Sequence, residues 1–400
     1  MVFVAGCAGM LSGGPTPAAP GVLPGIDVLL RDSLHLVQRR GVGLVTNQGG
    51  IDAAGKSDVD RLLESGVRLV ALFSPEHGFR GTAAPGETIA TTRDSATGLP
   101  IFSLYGSQRG PTDSMLRGVD VLLVDLPDVG SRSYTYLSTT IEVMRSAARF
   151  GKPVVILDRP NPIGGAVQGN VLNPAYRSFV GPLAMPMRHG MTLGELGRLA
   201  NRELSLGASL QVVPSGGWTR TMTILDTRLP FVAPSPNLKD PESLFHYPGT
   251  VHFEGTSLSV GRGTDAPFRQ IGSPWLDTRR VKALFDAEEL PGVRLEEVSF
   301  TPVSPGDAKF PGVALRGLRL VMTDPVRYDA LHAAVALLVA VQRVHPDSIG
   351  FRNAGFDRLA GGPGLREAIQ SGRSAASIVA GWMTEREEWI RYRTPELLYH

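Results

Sequence analysis

Residues 69–81 read LVALFSPEHGFRG, and this stretch decides how the first half of the chain is interpreted. Its five leading apolar residues suit a buried parallel strand, and Pro75 ends the run. A carboxylate, an imidazole and a guanidinium follow at Glu76, His77 and Arg80, among glycines at 78 and 81. Ligands bind beyond the carboxyl ends of strands in open α/β sheets. A strand that ends in an acid, a base and a cation therefore predicts a functional site.

The same event recurs over residues 41–160, where short apolar runs alternate with helical segments. The predicted strands are 42–46, 68–73, 100–104, 119–124 and 153–157. The predicted helices are 57–65, a short one near 112–116, and 136–150, where apolar residues recur near helical spacing. Continuous apolar strands between helices indicate a parallel sheet covered on both faces. We predict an α/β fold whose Rossmann-like parallel sheet domain spans residues 23–165.

The alternation changes after residue 165. A capping box at Thr192 and Glu195 begins a helix that reaches residue 204, and Pro- and Gly-rich loops follow over 214–274. A strand over 317–322, a helix over 326–344 and a last helix near 375–391 complete the chain. We predict an α+β auxiliary domain over residues 166–400.

Composition is that of an ordinary globular protein. Of 400 residues, 42% are apolar and 20% are charged, and 40 basic against 38 acidic side chains leave a net charge of +2. This balance gives no sign of a nucleic-acid partner. No apolar run reaches the roughly 20 residues that a membrane helix needs. Oligomeric state does not follow from these features.

Cys7 is the only cysteine of the sequence, so no internal disulfide is expected. It follows Val4-Ala5-Gly6 and precedes a low-complexity stretch, which resembles a bacterial lipobox with a flexible tether. We assign residues 1–22 to this segment, although few residues precede the cysteine for a signal peptide. We expect an exported, periplasmic or membrane-anchored lipoprotein with a lipid anchor at Cys7, or a cytoplasmic protein if the N-terminus is not a signal.

Polar residues stand at the carboxyl end of each predicted strand. The strand-end candidates are Asn47, Glu76, His77, Arg80, Asp125, Asp128, Arg132, Tyr134, Asp158, Arg159 and Asn161. Three polar, hinged loops of the second domain, the last spanning 247–264, add Arg188, His189, Asn237, Glu254 and Arg262. Because the carboxyl ends of parallel strands share one edge of a sheet, we expect these loops to face the first domain across a cleft.

This set is rich in carboxylates, asparagines and arginines. The eight histidines show no HExxH or paired ligand spacing, so we expect no zinc site, and there is no GxSxG elbow of an α/β-hydrolase. Carboxylate chemistry on a polar, uncharged or mildly anionic substrate remains. Sugars fit, because they need many short hydrogen bonds and their hydrolysis usually needs positioned carboxyl groups.

One alternative rests on residues 50–57, which match the phosphate-loop pattern GxxxxGK(S/T) between a strand and a helix. Three residues separate this match from the preceding strand, and Asp52 would bring negative charge near the phosphates. Ser57 followed by acidic residues suits a helix N-cap, which leaves Lys56 in solvent. A P-loop nucleotide hydrolase is therefore the less favoured interpretation.

Eight motifs resemble, in order, those of the NamZ family of exo-β-N-acetylmuramidases. They are GLVTNQ (43–48), FSPEHG (73–78), the stretch 125–132, LDRPNP (157–162), RHGMT (188–192), PSPN (234–237), YPGT (247–250) and EGT (254–256). The resemblance covers nearly the whole chain. It implies a Rossmann-like domain and an auxiliary domain with the active cleft between them, and no cofactor. It also implies release of N-acetylmuramic acid from the non-reducing end of peptidoglycan glycan or muropeptide fragments.

The resemblance points to the glutamate of the PEHG motif, here Glu76, as the catalytic residue. A carboxyl group walled by Phe73, Pro75 and Phe79 would be partly desolvated, which favours the protonated form of a general acid. The competing interpretation of Glu76 is an ion pair with Arg80. Family members often read SPNxPT where this chain has Asn-Leu-Lys-Asp over 237–240, so substrate contacts beyond residue 237 are left unassigned.

Other roles stay open at this point. His77 either binds substrate or orients Glu76, and the candidates for a second carboxyl group are Asp125, Asp128 and Glu254, the last also expected to pair with Arg262. In a substrate-assisted reaction the acetamido oxygen of the sugar attacks instead.

Substrate binding has its own candidates. Those for the lactyl carboxylate of muramic acid are Arg159, Arg188 and Arg262, because Arg grips carboxylates bidentately. We favour Arg188, which lies on a short loop before a capped helix. Those for sugar hydroxyls are Asn47, Asn161 and Asn237. A non-catalytic glycan-binding lipoprotein would use the same cleft, and turnover separates it from a glycosidase.

Overall fold

The computed structural model describes residues 21–84, 86–87 and 91–400. Cys7 and most of the lipobox-like segment lie outside the described residues. The strands are β1 (Gly41–Thr46), β2 (Arg68–Ser74), β3 (Thr92–Arg93), β4 (Pro100–Ser103), β5 (Val121–Asp125), β6 (Val154–Leu157), β7 (Gln168–Val171), β8 (Pro186–Arg188), β9 (Leu210–Val213), β10 (Gln270–Ser273), β11 (Val293–Phe300) and β12 (Leu315–Met322).

Helices connect and cover these strands. The α-helices are α1 (Gly25–Asp32), α2 (Asp58–Glu64), α3 (Tyr136–Arg149), α4 (Leu193–Glu203), α5 (Ile224–Thr227), α6 (Pro241–Thr250), α7 (Thr278–Asp286), α8 (Ala330–Val344), α9 (Asn353–Ala360), α10 (Gly364–Gln370), α11 (Ala375–Ala380) and α12 (Met383–Arg393). The 3₁₀ helices are Leu34–Leu36, Pro174–Tyr176, Val251–Gly255 and Thr394–Glu396.

A seven-stranded sheet in the order β3-β4-β2-β1-β5-β6-β9 forms the centre of the first half. Its neighbours pair in parallel except β3 with β4, so the predicted Rossmann-like sheet is confirmed. All residues of β1 and β5 are buried, as expected for strands covered on both faces. Successive side chains of β1, such as Leu44 and Val45, belong to the hydrophobic cores on opposite faces.

The course of the chain gives this sheet a switch point. From β1 the chain builds outward through β2 to β4, then returns to place β5, β6 and β9 on the other side of β1. The carboxyl ends of the strands therefore form one edge, where ligands bind in such sheets. β9 lies beyond residue 165, so the sheet takes a strand from past the boundary that we predicted from sequence. The predicted helix near 112–116 is a turn in the structure.

The second half has the predicted α+β character. β10, β12 and β11 form an antiparallel sheet, and β7 pairs with β8 in a hairpin. The predicted strand and helix over 317–344 appear as β12 and α8, while the segment predicted as one last helix forms α11 and α12. Residues 247–250, predicted as a loop, form the end of α6.

The two halves share one hydrophobic core. Leu122 of β5 and Met144 of α3 belong to the same buried cluster as Phe245 of α6 and Leu338 of α8. A shared apolar core resists relative motion of the halves. The functional cleft is therefore a pocket at the rim of a continuous core. No helix within the described ranges is long and apolar enough to cross a bilayer.

Candidate active site

A pocket of about 160 Å³ lies where loops of the two halves meet above the carboxyl edge of the central sheet. Its lining residues are Glu76, His77, Ser133, Tyr134, Thr135, Val180, Ser235, Leu238, Tyr247, Val251, Glu254, Arg262, Phe268 and Leu359. Five of these side chains were named from the sequence, and they line the same pocket although they lie up to 186 residues apart in the chain. We refer to this space as the Glu76 pocket.

The Glu76 carboxyl group is held by donors at both oxygens. Glu76 follows β2, and its side chain is nearly buried, with the residue 8% exposed. Thr135 Oγ1 donates to Oε2 at 2.7 Å, and the Gly86 N–H donates to Oε1 at 3.2 Å. Burial, the charge of Glu76 and a hydrogen bond to Glu76 raise the pKa of Tyr105 to about 12. Hydrogen bonds from a hydroxyl group and a backbone amide thus fix the position of the Glu76 carboxyl group.

Arg80 does not pair with Glu76. Its guanidinium lies 3.8 Å from Asp94, and its side chain is 71% exposed. The interpretation of Glu76 as the partner of a surface arginine is therefore wrong. Among the described residues, hydroxyl and amide groups rather than cations contact the Glu76 carboxyl oxygens.

The loop after Glu76 is tightly folded. His77 has a φ of 71°, in the left-handed region that a histidine seldom adopts. The ring Nδ1 lies 2.9 Å from the Ala83 carbonyl oxygen, and the Ala83 N–H donates back to the His77 carbonyl at 3.1 Å. Because a carbonyl oxygen only accepts, Nδ1 is the donor of this hydrogen bond. Backbone strain of this kind is concentrated at functional sites.

Glu254 and Arg262 form an ion pair on the wall contributed by the second half. Arg262 Nε donates to Glu254 Oε1 at 2.6 Å, and Nη2 lies 2.5 Å from the same oxygen. The guanidinium also lies over the ring of Phe268, 5.0 Å from its centroid. Gly261 and Gly263, with φ of 75° and 77°, form the turn that presents Arg262. Arg262 Nη1 is buried and lacks a hydrogen-bond partner within the described structure.

Asp125 and Arg159 are placed together, but outside the Glu76 pocket. Asp125 is fully buried at the end of β5, and Arg159 Nη2 donates to its Oδ2 at 2.9 Å. The same nitrogen donates to the Ile51 carbonyl at 2.8 Å. Burial raises the pKa of Asp125, and the charge of Arg159 opposes that rise. The pair holds the ends of neighbouring strands together.

Asp128 and His189 form a second buried pair. Asp128 Oδ2 accepts from the Gly130 N–H at 2.8 Å and lies 3.5 Å from His189 Nε2. The Met191 N–H donates to His189 Nδ1 at 3.2 Å, so a neutral His189 carries its proton on Nε2. Asp128 lines a separate, largely apolar pocket of about 80 Å³, together with Phe231 and Arg159.

Two buried arginines hold carbonyl groups. Arg132 donates to the carbonyls of Asn170, Met185 and Leu359 at 3.0, 2.8 and 3.0 Å, and burial lowers its pKa to about 9. Arg188 donates to a carbonyl of the loop after β6, and burial lowers its pKa to about 10. Neither guanidinium lines the Glu76 pocket. Our preferred lactyl-binding residue, Arg188, is thus placed away from Glu76.

The remaining polar candidates shape the backbone. Asp158 accepts from Thr192 Oγ1 and Tyr399 OH, and burial raises its pKa to about 6. The other contacts are Asn47 Nδ2 to Tyr136 OH at 2.7 Å, Asn161 Nδ2 to Met191 O at 2.9 Å, Tyr134 OH to Pro234 O at 2.7 Å, and Asn237 N to Ser235 Oγ at 3.3 Å. Of these four candidates, Tyr134 lines the Glu76 pocket.

In the segment that matches the phosphate-loop pattern, backbone N–H groups are already hydrogen-bonded to a side chain of the same segment. Asp52 Oδ1 accepts from the N–H groups of Ala54 and Lys56 at 2.9 and 2.8 Å. These are backbone donors that a phosphate would need. Ser57 caps α2 by accepting from the Asp60 N–H at 3.1 Å, as predicted, and the exposed Lys56 side chain pairs with Glu64. The geometry therefore disfavours nucleotide binding at this loop.

Sequence reasoning missed the groups that hold Glu76. Thr135 stands at the N-cap of α3, where a threonine ordinarily bonds the helix backbone, but it makes no cap bond. Its hydroxyl serves Glu76 instead. Tyr105, which follows β4, was not among the candidates named from the sequence. No group of three or more His, Cys, Asp or Glu side chains within the described ranges is arranged for a metal ion.

Two domain models of one family together cover nearly the whole chain. The N-terminal domain of the family described as Exo-beta-N-acetylmuramidase NamZ matches residues 42–242, and the C-terminal domain of that family matches residues 245–399. The Peptidoglycan beta-N-acetylmuramidase NamZ of Bacillus subtilis strain 168 is 40% identical over 387 residues, which cover 96% of this chain and 93% of that protein.

Two crystal structures of DUF1343 family proteins from Bacteroides fragilis NCTC 9343 have the same fold. The structure at 1.65 Å resolution has a TM-score of 0.87 and 32% identity, and the one at 1.30 Å has a TM-score of 0.76 and 33% identity. Each covers 95% of this chain and 99% of its own. The fold, the carboxyl-lined pocket and these relatives define a glycosidase. The chain belongs to the NamZ family of exo-β-N-acetylmuramidases.

Proposed function

We propose that this chain releases N-acetylmuramic acid from the non-reducing end of peptidoglycan fragments, with Glu76 as the general acid. The observation that carries the proposal is the Glu76 carboxyl group, 8% exposed and clasped by Thr135 and Gly86 in a pocket built by both halves of the chain. The name of the Bacillus subtilis relative supplies the substrate class. The family resemblance of the PEHG motif points to the same glutamate.

In the proposed reaction, Glu76 donates its proton to the glycosidic oxygen while the bond from the anomeric carbon to that oxygen breaks. The bond electrons stay on the oxygen, which leaves as a hydroxyl group, and positive charge develops on the sugar ring. The reaction is completed when the oxygen of a water molecule bonds to the anomeric carbon and a proton from that water returns to Glu76. Of the three candidates for a second carboxyl group, Glu254 lines the Glu76 pocket. The hydrogen bond from Arg262 fixes this carboxyl group, to which we assign stabilising that charge or orienting the acetamido group.

We assign recognition of the lactyl carboxylate to Arg262. Muramic acid differs from glucosamine by a lactyl ether, which adds one carboxylate. Arg262 lines the Glu76 pocket, and its buried Nη1 has a donor capacity that the described structure leaves unused. Arg159 and Arg188, the other two candidates, are engaged elsewhere.

The direct test uses the unaltered protein with a chromogenic β-N-acetylmuraminide beside the matching β-N-acetylglucosaminide. We expect a preference for the muraminide of at least about tenfold in kcat/KM. The glucosaminide has no carboxylate to accept from the Arg262 guanidinium, and a hydrogen bond between charged groups contributes about 1.5–3 kcal/mol. Equal turnover of both glycosides would contradict lactyl recognition. Tight binding of both without turnover would support the alternative of a non-catalytic glycan-binding protein.

We also propose that the protein is exported and lipidated at Cys7. The support is the lipobox-like sequence around Cys7 and the small-residue tether that follows it. Mass spectrometry of the mature protein from the native host is expected to show a lipid-modified cysteine at its N-terminus. An unmodified N-terminus recovered from the cytosol would contradict this proposal.

A further inference from the structure

Lys309 is a buried lysine behind the second wall of the Glu76 pocket. It lies in the loop 301–314 between β11 and β12, and the residue is 6% exposed. Its ammonium group donates to the carbonyls of Phe253, Glu254 and Leu258 at 3.1, 3.2 and 2.7 Å. An ammonium group has three donors, so these carbonyls use all of them. Lys309 belongs to none of the sequence motifs described above.

Burying the Lys309 ammonium group costs free energy, which indicates that the residue has a specific role. Taking a charge out of water is unfavourable, and burial lowers the pKa of Lys309 to about 8. Both neighbours of Lys309 are strained, since Ala308 and Phe310 have φ of 56° and 54° in the left-handed region. The chain is bent so that the ammonium group points at the backbone around Glu254.

The segment that Lys309 holds is the one that carries Glu254. The 3₁₀ helix Val251–Gly255 ends there, and carbonyls at the end of a short helix lack partners within it. Lys309 donates to the Glu254 carbonyl and adds a third donor to the Phe253 carbonyl, which also accepts from the Thr256 N–H and hydroxyl. The same loop also holds the turn that carries Arg262. The Val303 N–H donates to the Gly263 carbonyl at 2.9 Å, and a Cβ on Gly263 would lie 2.5 Å from the Val303 carbonyl oxygen.

We propose that Lys309 is a positioning residue that fixes the Glu254–Arg262 pair and thereby sets the selectivity of the pocket for a sugar that carries a carboxylate. This inference rests on the proposed function. Lys309 contacts backbone and not substrate, so its effect passes through Glu254 and Arg262. Without the ammonium group, the 251–258 segment loses three hydrogen bonds, and the pair loses its fixed position opposite Glu76.

The test measures kcat/KM for the muraminide and the glucosaminide on each enzyme preparation. The ratio of the two kcat/KM values does not depend on the fraction of inactive enzyme, because both substrates are assayed with the same preparation. We expect Lys309→Met to lower the ratio about tenfold, chiefly through a higher KM for the muraminide. Lys56→Met is the matched control, because it makes the same change at an exposed lysine, and its ratio is expected to equal that of the unaltered protein.

A double-mutant cycle separates positioning from a general loss of stability. In the Arg262→Met background, adding Lys309→Met is expected to leave the ratio unchanged, because the guanidinium that distinguishes the two substrates is gone and any effect through Glu254 applies to both alike. If Lys309→Met does not fold, Lys309→Gln keeps fewer donors at the same place and is expected to lower the ratio by a smaller factor.

Three results would overturn the inference. The first is an unchanged ratio in Lys309→Met or, where that variant does not fold, in Lys309→Gln. The second is an equal further fall of the ratio in the Arg262→Met background. The third is an unaltered protein that hydrolyses neither glycoside, which overturns the proposed function together with this inference. An unaltered protein that prefers the muraminide, with Lys309 variants equally selective, overturns this inference alone.

Discussion

Replacing Arg262 by methionine tests the assignment of selectivity. The change removes the guanidinium but keeps an apolar side chain over Phe268, where Arg262 now stacks at 5.0 Å. It removes the donor at Nη1 that we assign to the lactyl carboxylate. A hydrogen bond to a charged group contributes about 1.5–3 kcal/mol, which corresponds to roughly 10- to 150-fold in kcat/KM for the muraminide.

Arg262→Met also leaves Glu254 without its cation. The Glu254 side chain is 23% exposed, so water compensates part of that loss, which applies to both substrates alike. The muraminide-to-glucosaminide ratio, measured on one preparation, therefore reports the lactyl contact by itself. We expect the ratio to fall at least about tenfold. An equal fall for both glycosides would refute lactyl recognition by Arg262.

Arg188→Met is the control for this experiment. Arg188 is buried and donates to a backbone carbonyl outside the Glu76 pocket, so its loss is expected to lower Tm and leave the ratio unchanged. A changed ratio in Arg188→Met with an unchanged ratio in Arg262→Met would show that the preference formed from the sequence was right and that our reading of the pocket is wrong.

Two other predictions concern groups outside the pocket. Lys56→Ala is expected to leave kcat/KM and Tm unchanged, because Lys56 is an exposed side chain paired with Glu64; a large loss in either measurement would revive the phosphate-loop hypothesis. The pKa of Asp158 is raised to about 6, so the folded state holds its proton more tightly than the unfolded state does. Asp158 therefore contributes stability at low pH that is lost as pH rises from about 4 through 6, and Asp158→Asn is expected to flatten that part of the urea-unfolding profile; an unchanged slope would contradict this.

The sheet of the first half was predictable because parallel strands buried on both faces have short, continuous apolar sequences. All five predicted strands appear, with ends within two residues of those expected. β9 and β11 were not predicted, because β9 is only four residues long at the edge of the sheet and consecutive glutamates interrupt the alternation of β11. Residues 247–250 contain Pro and Gly, which usually break helices, yet buried packing keeps them in α6.

The site was only partly predictable, because the direction of a side chain depends on packing. Glu76, Glu254 and Arg262 were named from the sequence, and the structure brings them into one pocket. Arg188 also stood beside a glycine hinge, but at the end of β8 its side chain turns into the protein. Because successive side chains of a strand point to opposite faces, a shift of one residue decides whether a side chain faces the pocket or the protein interior.

The central claim is that Glu76 protonates the leaving oxygen, and Glu76→Gln tests it most directly. Glutamine is nearly isosteric and can still bond the Thr135 hydroxyl, but it has no proton to donate. We predict that the variant keeps its Tm and its affinity for the muraminide, while kcat falls roughly 10²–10⁴-fold. Near-normal kcat in a folded Glu76→Gln protein would contradict the account.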